Sequence, residues 1–230
     1  MKSGARICAV IPALNEEHSI GNVLSAIPEW VDEVVVVDNG STDRTAEVAH
    51  SQGARVLAEM RRGYGRACQA GIHSLDGPDI VVFLDGDYSD YPEEMDKLVE
   101  PILRDEADLV AGSRVLGRHA PGALAPQARF GNWLACSLIR LFWGARYTDL
   151  GPFRAIRAST LKGLGMRDTN YGWMVEMQIK ATLQKARVLE VPVSYRKRIG
   201  KSKVTGTVRG SIAAGTIILF TICRAALGRR

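Results

Sequence analysis

The chain has 230 residues, of which 46% are hydrophobic and 24% are charged. These values lie in the ordinary globular range and exclude a disordered chain or a fibrous repeat. The cysteines are scattered and form no C-x-x-C pair, which argues against a zinc site and a disulfide framework. This use of cysteine fits a reducing, cytoplasmic setting. Since the first residues contain no long apolar segment, we expect no signal peptide.

The net charge of +5 is unevenly distributed along the sequence. From Arg187 to Arg230 there are ten Lys or Arg residues and one acid, Glu190, so this part carries +9 and residues 1–186 carry −4. A basic segment of this kind is often only a solvated face. It also fits an anionic ligand, an acidic membrane surface or nucleic acid.

The first half of the chain alternates β-branched runs with helix-like segments. Strands are predicted at 6–11, 33–37, 54–58, 80–84 and 109–111, and helices at 19–27, 42–51, 65–75 and 92–103. Strands that are almost continuously aliphatic and alternate with helices are typical of a mostly parallel sheet covered on both faces. The fold class predicted is therefore α/β.

The second half of the chain is less regular. Helices are predicted at 129–144 and 171–184, a turn at 149–154, a strand at 188–193 and a basic loop at 196–203. The helix at 129–144 is amphipathic and suits either a core or a membrane surface. The last apolar run, 211–223, is shorter than the about 20 residues of a membrane span. We therefore expect a catalytic domain at 1–206 and an amphipathic helix at 207–230 that is interfacial or packed on the core.

Polar clusters follow the predicted strands, where α/β proteins bind their ligands. They are found at 12–17, 38–43, 59–66 and 85–87, and all four should meet at one edge of the sheet.

Asp85 and Asp87 are the most distinctive of these polar residues. Residues i and i+2 of a strand point the same way, so both carboxylates should face one volume and repel each other. Oxygen ligands favour Mg²⁺ or Mn²⁺, which commonly grips substrate phosphates. A plain exposed Asp-Gly turn is the alternative interpretation.

Two other clusters each allow two interpretations. In 38–43, Ser41 or Thr42 can cap a helix, which leaves Asp38 available to recognise a base or a ribose. In 63–66, the glycines form either a simple turn or a loop that approaches a ligand, with Arg62 or Arg66 facing phosphate.

Taken together, the motifs are more specific than each one alone. In order and spacing, PALNE at 12–16, VDNGSTD at 37–43, GYGRA at 63–67, LDGD at 84–87 and GSR at 112–114 resemble the family 2 glycosyltransferases. DLGPFR at 149–154 and RIGKSK at 198–203 extend the similarity to the dolichyl-phosphate mannose synthase branch, which includes polyprenyl-phosphate glucosyltransferases.

This resemblance implies an A-type glycosyltransferase fold with a Rossmann-like nucleotide-binding half. It implies a nucleotide-sugar site formed by Pro12, Asn15, Glu16, Asp38, Gly40, Gly65, Arg66 and Asp85. The divalent cation, Mg²⁺ or Mn²⁺, is assigned to Asp85 and Asp87. Many relatives have a glutamine ligand at the position of Ser89, so Ser89 or the adjacent Asp90 is a further candidate.

The same resemblance assigns the acceptor phosphate to Arg114, Arg129, Arg198, Ser202 and Lys203, and the catalytic roles to Asp87, Arg114, Arg198 and Lys203. Some relatives place arginine at the position of Lys197, so the assignment between Lys197 and Arg198 is open. A phosphate monoester has a second pKa of about 6 and is already anionic at neutral pH, so it needs cations rather than a general base.

The function predicted is an inverting transfer of mannose or glucose from a UDP- or GDP-hexose to a polyprenyl or dolichyl phosphate, at the inner face of a membrane. A soluble acceptor is an alternative, and the partners could include a homodimer or a separate membrane-anchoring protein. A non-catalytic nucleotide- or nucleic-acid-binding protein is the alternative from another class. Since the basic segment matches no nucleic-acid-binding motif, we expect no nucleic-acid partner.

Overall fold

The computed structural model describes residues 1–200 and 208–228. Its strands are β1 (Ile7–Ala13), β2 (Glu33–Asp38), β3 (Arg55–Ala58), β4 (Ile80–Phe83), β5 (Leu109–Ser113), β6 (Arg154–Arg157) and β7 (Val188–Pro192). Its helices are α1 (Ile20–Ala26), α2 (Thr45–Ser51), α3 (Tyr64–Ser74), α4 (Met95–Leu103), α5 (Pro126–Trp143), α6 (Ala158–Leu164), α7 (Trp173–Leu183) and α8 (Val208–Leu227). One turn of 3₁₀ helix, Pro92–Glu94, precedes α4.

Within these residues the strands form one sheet in the order β3-β2-β1-β4-β6-β5-β7. Every neighbouring pair is parallel except the two that involve β6, which runs antiparallel to β4 and to β5. The central strands β1 and β4 are buried over nearly their whole length, which accounts for their continuous aliphatic sequences. The predicted α/β class with a mostly parallel sheet is confirmed.

The two faces of the sheet are packed separately. Along β1, Ile7, Ala9 and Ile11 pack into one core with residues of α1 and α4. Val10 points to the opposite face and packs against α3 and α7. This alternation follows the two-residue period of a strand, and it confirms helices on both faces.

Some elements differ from the sequence prediction. Strand β1 continues to Ala13, because its last residues still pair with β2 through Ala13 and Asp38. Helix α5 begins at Pro126, where the fixed backbone angle of proline suits the first turn. Helix α6 was not predicted, since seven residues with a glycine near the end contain too little hydrophobic periodicity.

Helices α5, α7 and α8 form a third apolar cluster beside the sheet. Ala135 and Ile139 of α5 pack with Val175 and Ile179 of α7, and Ile222 of α8 closes the cluster. Helix α8 thus has a core-packed side. Across 1–200 and 208–228, no helix combines the length and the apolar character that crossing a membrane would require.

The loop between α6 and α7, residues 165–172, lies over the start of α3. The backbone N–H of Arg66 donates to the Thr169 carbonyl at 3.1 Å, and the Gln69 side chain donates to the Asp168 carbonyl at 3.2 Å. A Cβ on Gly63 would collide with the Thr169 carbonyl, and one on Gly65 with that of Asp168. Both glycines therefore permit the close approach of two backbone segments.

This contact predicts that Gly65→Ala destabilises the protein. The new methyl group meets backbone atoms that cannot rotate away, and overpacking of this kind costs roughly 1–3 kcal/mol of unfolding free energy. Gly131→Ala in α5 is the matched control, because its Cβ would have no atom within 4 Å and alanine favours a helix by about 0.5–1 kcal/mol. Urea unfolding measures both, and equal stability of the two variants would contradict the packing described.

Candidate active site

A cavity of about 420 Å³ opens where β1, β2 and β4 end. Because these strands are parallel, the polar residues that follow them meet at one edge, as predicted. Its walls are formed by Pro12, Ala13, Leu14, Glu16, Asn39, Arg62, Gly63, Tyr64, Ala67, Asp85, Gly86, Asp87, Asn170, Tyr171 and Arg198. We call this space the donor cavity.

The two aspartates after β4 both line the donor cavity. The Tyr64 hydroxyl donates to Asp85 Oδ1 at 3.1 Å, and the Ser89 N–H donates to Asp87 Oδ1 at 2.9 Å. Burial and the nearby charge of Asp87 raise the pKa of Asp85 to about 7. Holding both carboxylates in this cavity therefore costs electrostatic free energy, which a bound cation would reduce.

Arg198 supplies positive charge at this point. Its Nη1 lies 3.1 Å from Asp87 Oδ2, and its Nη2 donates to Glu16 Oε1 at 2.9 Å. Glu16 is 8% exposed and also accepts a hydrogen bond from the Ser19 hydroxyl at 3.0 Å. One guanidinium group therefore joins the loop after β1, the loop after β4 and the basic loop near the end of the chain.

The acidic pair fits a divalent cation that is shared with a phosphate ligand. Among 1–200 and 208–228, no three His, Cys, Asp or Glu side chains are grouped to hold a metal ion by themselves. Mg²⁺ is commonly held by one or two carboxylates with the remaining positions filled by water and substrate phosphates. Asp85 and Asp87 satisfy this requirement.

Ser89 and Asp90 are both buried, and they differ in their contacts. The Ser89 hydroxyl donates to Asp87 Oδ1 at 2.5 Å, so it orients that carboxylate. Asp90 is 1% exposed, and within the described residues neither of its side-chain oxygens has a hydrogen-bond partner. Burial, together with Asp85 and Asp87, raises the pKa of Asp90 well above its usual range.

The loop after β2 is organised by side chains of the predicted nucleotide site. Asp38 Oδ1 accepts the Ser41 N–H at 3.0 Å, and Asn15 Oδ1 accepts the Thr42 N–H at 2.7 Å. Gly40 has a φ of 80°, which only glycine adopts readily. Pro12 and Glu16 line the donor cavity, whereas Asn15, Asp38 and Gly40 are not part of its lining.

The loop after β3 is held by Asn39, which the sequence analysis did not single out. Its side-chain nitrogen donates to the carbonyls of Glu59 and Arg61 at 2.8 and 3.0 Å, and its oxygen accepts the Gly63 N–H at 2.8 Å. As a result Arg62 and Gly63 line the cavity, while Arg66 and Gly65 do not. A buried asparagine after a strand is the signal that could have identified this anchor.

The opposite wall of the donor cavity comes from Asn170 and Tyr171. Their loop is held by the Glu176 carboxylate, which accepts the N–H groups of Arg167 and Asp168. No local motif marks these residues, and they are distant in sequence from the clusters that follow the strands. Only the packing of their loop on Gly63 and Gly65 places them here.

A second cavity, of about 690 Å³, lies between the loop after β5 and helix α5. We call it the cationic cavity, because Arg114, Arg129, Arg140 and Arg146 line it together with His119. Val115, Leu124, Phe130 and Trp133 contribute apolar wall. The cavity thus combines positive charge with an apolar surface.

Arg114 is fixed by an ion pair with Asp149. Its Nε and Nη2 donate to the two carboxylate oxygens at 2.7 Å each, and its backbone N–H donates to Oδ2 at 2.8 Å. Burial alone would lower the pKa of Arg114, but the Asp149 carboxylate overrides this effect and raises it. Arg114 therefore keeps its charge, with its orientation set by the turn before β6.

The other three arginines of the cationic cavity are exposed. Within the described part of the chain Arg129, Arg140 and Arg146 form no ion pair. Phe130 and Trp133 beside them are 62% and 61% exposed. Arg114 and Arg129, both predicted for the acceptor phosphate, are thus brought together here, while Arg198 lies in the donor cavity.

Tyr195 connects the two cavities. Its ring lies 5.1 Å from the Arg114 guanidinium, and its backbone pairs with Asp90, three residues beyond Asp87. The donor and cationic cavities are therefore neighbours. The predicted residues Ser202 and Lys203 lie outside the part of the chain that the structure describes.

The sequence also matches a known protein family over most of its length. The family model "Glycosyl transferase family 2" matches residues 8–165. An uncharacterized glycosyltransferase of Mycobacterium tuberculosis is 40% identical over 215 residues, which cover 92% of this chain and 95% of the relative. The enzyme prediction is thereby confirmed over the non-catalytic alternative.

Two relatives carry names that specify a lipid phosphate. A dolichyl-phosphate hexose transferase of Haloferax volcanii is 32% identical, with 92% of each chain covered. An undecaprenyl-phosphate mannosyltransferase of Micrococcus luteus is 32% identical, with 89% of this chain and 90% of the relative covered. The resemblance to this branch is confirmed.

Among solved structures, glucosyl-3-phosphoglycerate synthase from Mycobacterium tuberculosis is similar over 98% of this chain and 81% of its own, with a TM-score of 0.78 and 26% identity. That enzyme was crystallised with Mn²⁺, UDP-glucose and phosphoglyceric acid. The likeness confirms the expected A-type fold. The chain belongs to glycosyl transferase family 2 and is a glycosyltransferase.

Proposed function

We propose that the protein transfers a hexose, mannose or glucose, from a nucleotide sugar to a polyprenyl phosphate, with inversion at the anomeric carbon. The observation that carries this proposal is the cationic cavity, where three arginines that form no ion pair among the described residues adjoin exposed aromatic side chains. The arginines can bind a phosphate, and the exposed aromatic side chains can pack against an isoprenoid chain. A small soluble acceptor would not require the exposed apolar surface of Phe130 and Trp133.

The donor cavity is proposed to hold the nucleotide sugar. Pro12, Glu16 and Arg62 surround the nucleoside diphosphate, and Asp85 and Asp87 hold a divalent cation, Mg²⁺ or Mn²⁺. That cation, when bound, stabilises the negative charge of the departing nucleoside diphosphate. The solved relative with Mn²⁺ and UDP-glucose supports a UDP-hexose as the donor to test first.

The proposed chemistry requires no general base. The acceptor phosphate is anionic at neutral pH, so its oxygen can attack directly. It must approach a second group of negative charges, and Arg114, Arg129 and Arg198 offset that repulsion. Arg114 is well suited because Asp149 fixes its orientation, and its guanidinium lies 5.1 Å from the ring centre of Tyr195. Ser202 and Lys203 remain candidates for the same phosphate.

The surroundings of the cationic cavity favour binding at an anionic membrane surface. Between Arg114 and Thr148 the sequence contains five arginines and no acid. Exposed aromatic residues among basic ones are typical of segments that lie in the headgroup region. We propose that residues 1–206 form a catalytic domain that binds the cytoplasmic membrane face through α5, with the C-terminal helix alongside.

A transfer assay tests the acceptor directly. We expect labelled hexose from UDP-glucose, GDP-mannose or GDP-glucose to enter the organic phase only when undecaprenyl phosphate is present. The solved relative binds phosphoglyceric acid, so this compound is the soluble acceptor for comparison. Label that appears only in a water-soluble product would overturn the lipid acceptor and leave the family assignment intact.

Removal of the proposed metal ligand should strongly weaken transfer. Asp87→Asn leaves Asp85 as the remaining carboxylate of the pair, and we expect kcat to fall roughly 100-fold, as for other lost electrostatic stabilisers of a leaving group. Calorimetry should show weaker Mn²⁺-dependent binding of UDP. Asp76→Asn, an exposed aspartate in the loop after α3, is the control that should match the unchanged protein. Full activity after treatment with a chelator would refute the metal assignment.

The aromatic rim should matter for lipid acceptors alone. Phe130→Ser combined with Trp133→Ser removes apolar surface next to the cavity, and a loss of about 1.4 kcal/mol in membrane affinity lowers binding about tenfold. We expect this loss for undecaprenyl phosphate in anionic vesicles, with unchanged turnover of a short, water-soluble prenyl phosphate. Leu183→Ser, at an exposed apolar position of α7, is the control. Equal losses with both acceptors would contradict the proposed role.

A further inference from the structure

The basic loop that carries Arg198 is paired with the loop that carries Asp87. The Arg196 N–H donates to the Ser89 carbonyl at 2.9 Å, and the Ile199 N–H donates to the Asp87 carbonyl at 3.0 Å. Tyr195 and Asp90 form an isolated antiparallel bridge. Residues 195–199 therefore lie along residues 87–90 in a definite register.

The side chain of Arg196 is enclosed by two aromatic rings. Its guanidinium carbon lies 3.5 Å from the ring centre of Tyr88 and 3.9 Å from that of Tyr91. Its Nη2 also donates to the Asp90 carbonyl at 2.9 Å. A planar guanidinium can stack on two rings and hydrogen-bond at its edge, which an ammonium group cannot do.

Tyr88 has an unusual backbone conformation that supports this arrangement. Its φ is 61°, in the left-handed region that side chains other than glycine seldom adopt. Such a conformation persists only where its surroundings hold it. Here it occurs directly after Asp87, at the residue whose ring covers Arg196.

Arg196 is thus committed to contacts within the protein. The nearest carboxylate to its guanidinium is that of Glu93, at 3.8 Å, and Glu93 is 51% exposed. Arg198, two residues later, reaches Asp87 and Glu16 instead. Along this loop, Arg196 therefore stacks on the tyrosine rings, and Arg198 faces the donor cavity.

We propose that Arg196, clamped by Tyr88 and Tyr91, is a positioning residue that sets the register in which Arg198 meets Asp87 and Glu16. The contribution of Arg198 to the reaction is taken from the proposed function. Arg196 touches no substrate in this proposal, and it acts on catalysis only through Arg198.

The first test uses the protein without ligands, so it does not depend on the acceptor. Nitrogen-15 NMR of the arginine side chains reports hindered rotation where hydrogen bonds hold the guanidinium group. We expect separate Nη signals for Arg198, and their coalescence in Arg196→Gln. Arg114, which is held by Asp149, is the internal reference and should keep its signals. Unchanged Arg198 signals in Arg196→Gln would overturn the proposal.

The second test is a double-mutant comparison of kcat with the acceptor that supports turnover. We expect Arg196→Gln to lower kcat at least about tenfold, and Arg196/Arg198→Gln together to be no worse than Arg198→Gln alone, the sign of two residues acting in one unit. Arg196→Lys should resemble Arg196→Gln. Lysine keeps the positive charge, but it loses the stacking of the planar guanidinium on the two rings. Lys162→Gln in α6 removes an exposed charge that forms no ion pair among the described residues, and is the control.

The outcomes separate the two proposals. Losses that multiply in the double variant, or full activity of Arg196→Lys, would mean that Arg196 acts as an independent cation and would refute the positioning role. Absence of transfer to polyprenyl phosphate by the unchanged protein would refute the proposed acceptor, and the NMR result would still decide the role of Arg196.

Discussion

Repulsion between carboxylates at the end of a buried strand is the constraint around which this site is organised. Strand β4 delivers Asp85 and Asp87 to one small volume, and burial strengthens the repulsion. The structure answers it from three directions, with the hydroxyl of Tyr64, the hydroxyl of Ser89 and the guanidinium of Arg198. Tyr64 begins α3, Ser89 lies in the same loop as the acidic pair, and Arg198 lies in the basic loop, so the acidic pair also determines how three segments of the chain meet.

A second buried charge lies close behind this edge. Arg154, at the start of β6, is completely buried and donates to the carbonyls of Gly151 and Met174 at 3.2 and 3.3 Å. Burial lowers the pKa of Arg154 to about 10. Because β6 runs antiparallel to β4, its first residue lies beside the last residue of β4, Phe83, and its positive charge lies at the same edge as the acidic pair.

The sequence allowed the sheet and most of its helices to be predicted, because nearly continuous aliphatic strands and amphipathic helices leave clear periodic patterns. It also predicted that Asp85 and Asp87 face one volume, and both line the donor cavity, although they do so from the turn after β4, which ends at Phe83, and not through the period of a strand. Asn170 and Tyr171 could not be found in this way. Their position depends on backbone contact with Gly63 and Gly65, and those glycines were interpreted as a turn or as a loop approaching a ligand. The stacking of Arg196 was equally hidden, because a basic loop does not reveal which of its charges face inward.

The packing of the loop 165–172 on α3 has a consequence for how such a protein can diversify. The backbone contact depends on two glycines, whereas the side chains at 170 and 171 project from that fixed platform into the donor cavity. Substitutions at these two positions can change what the cavity accepts without disturbing the strand ends that hold the acidic pair. The wall of the donor cavity opposite the acidic pair can therefore be altered by mutation separately from the segment that carries Asp85 and Asp87.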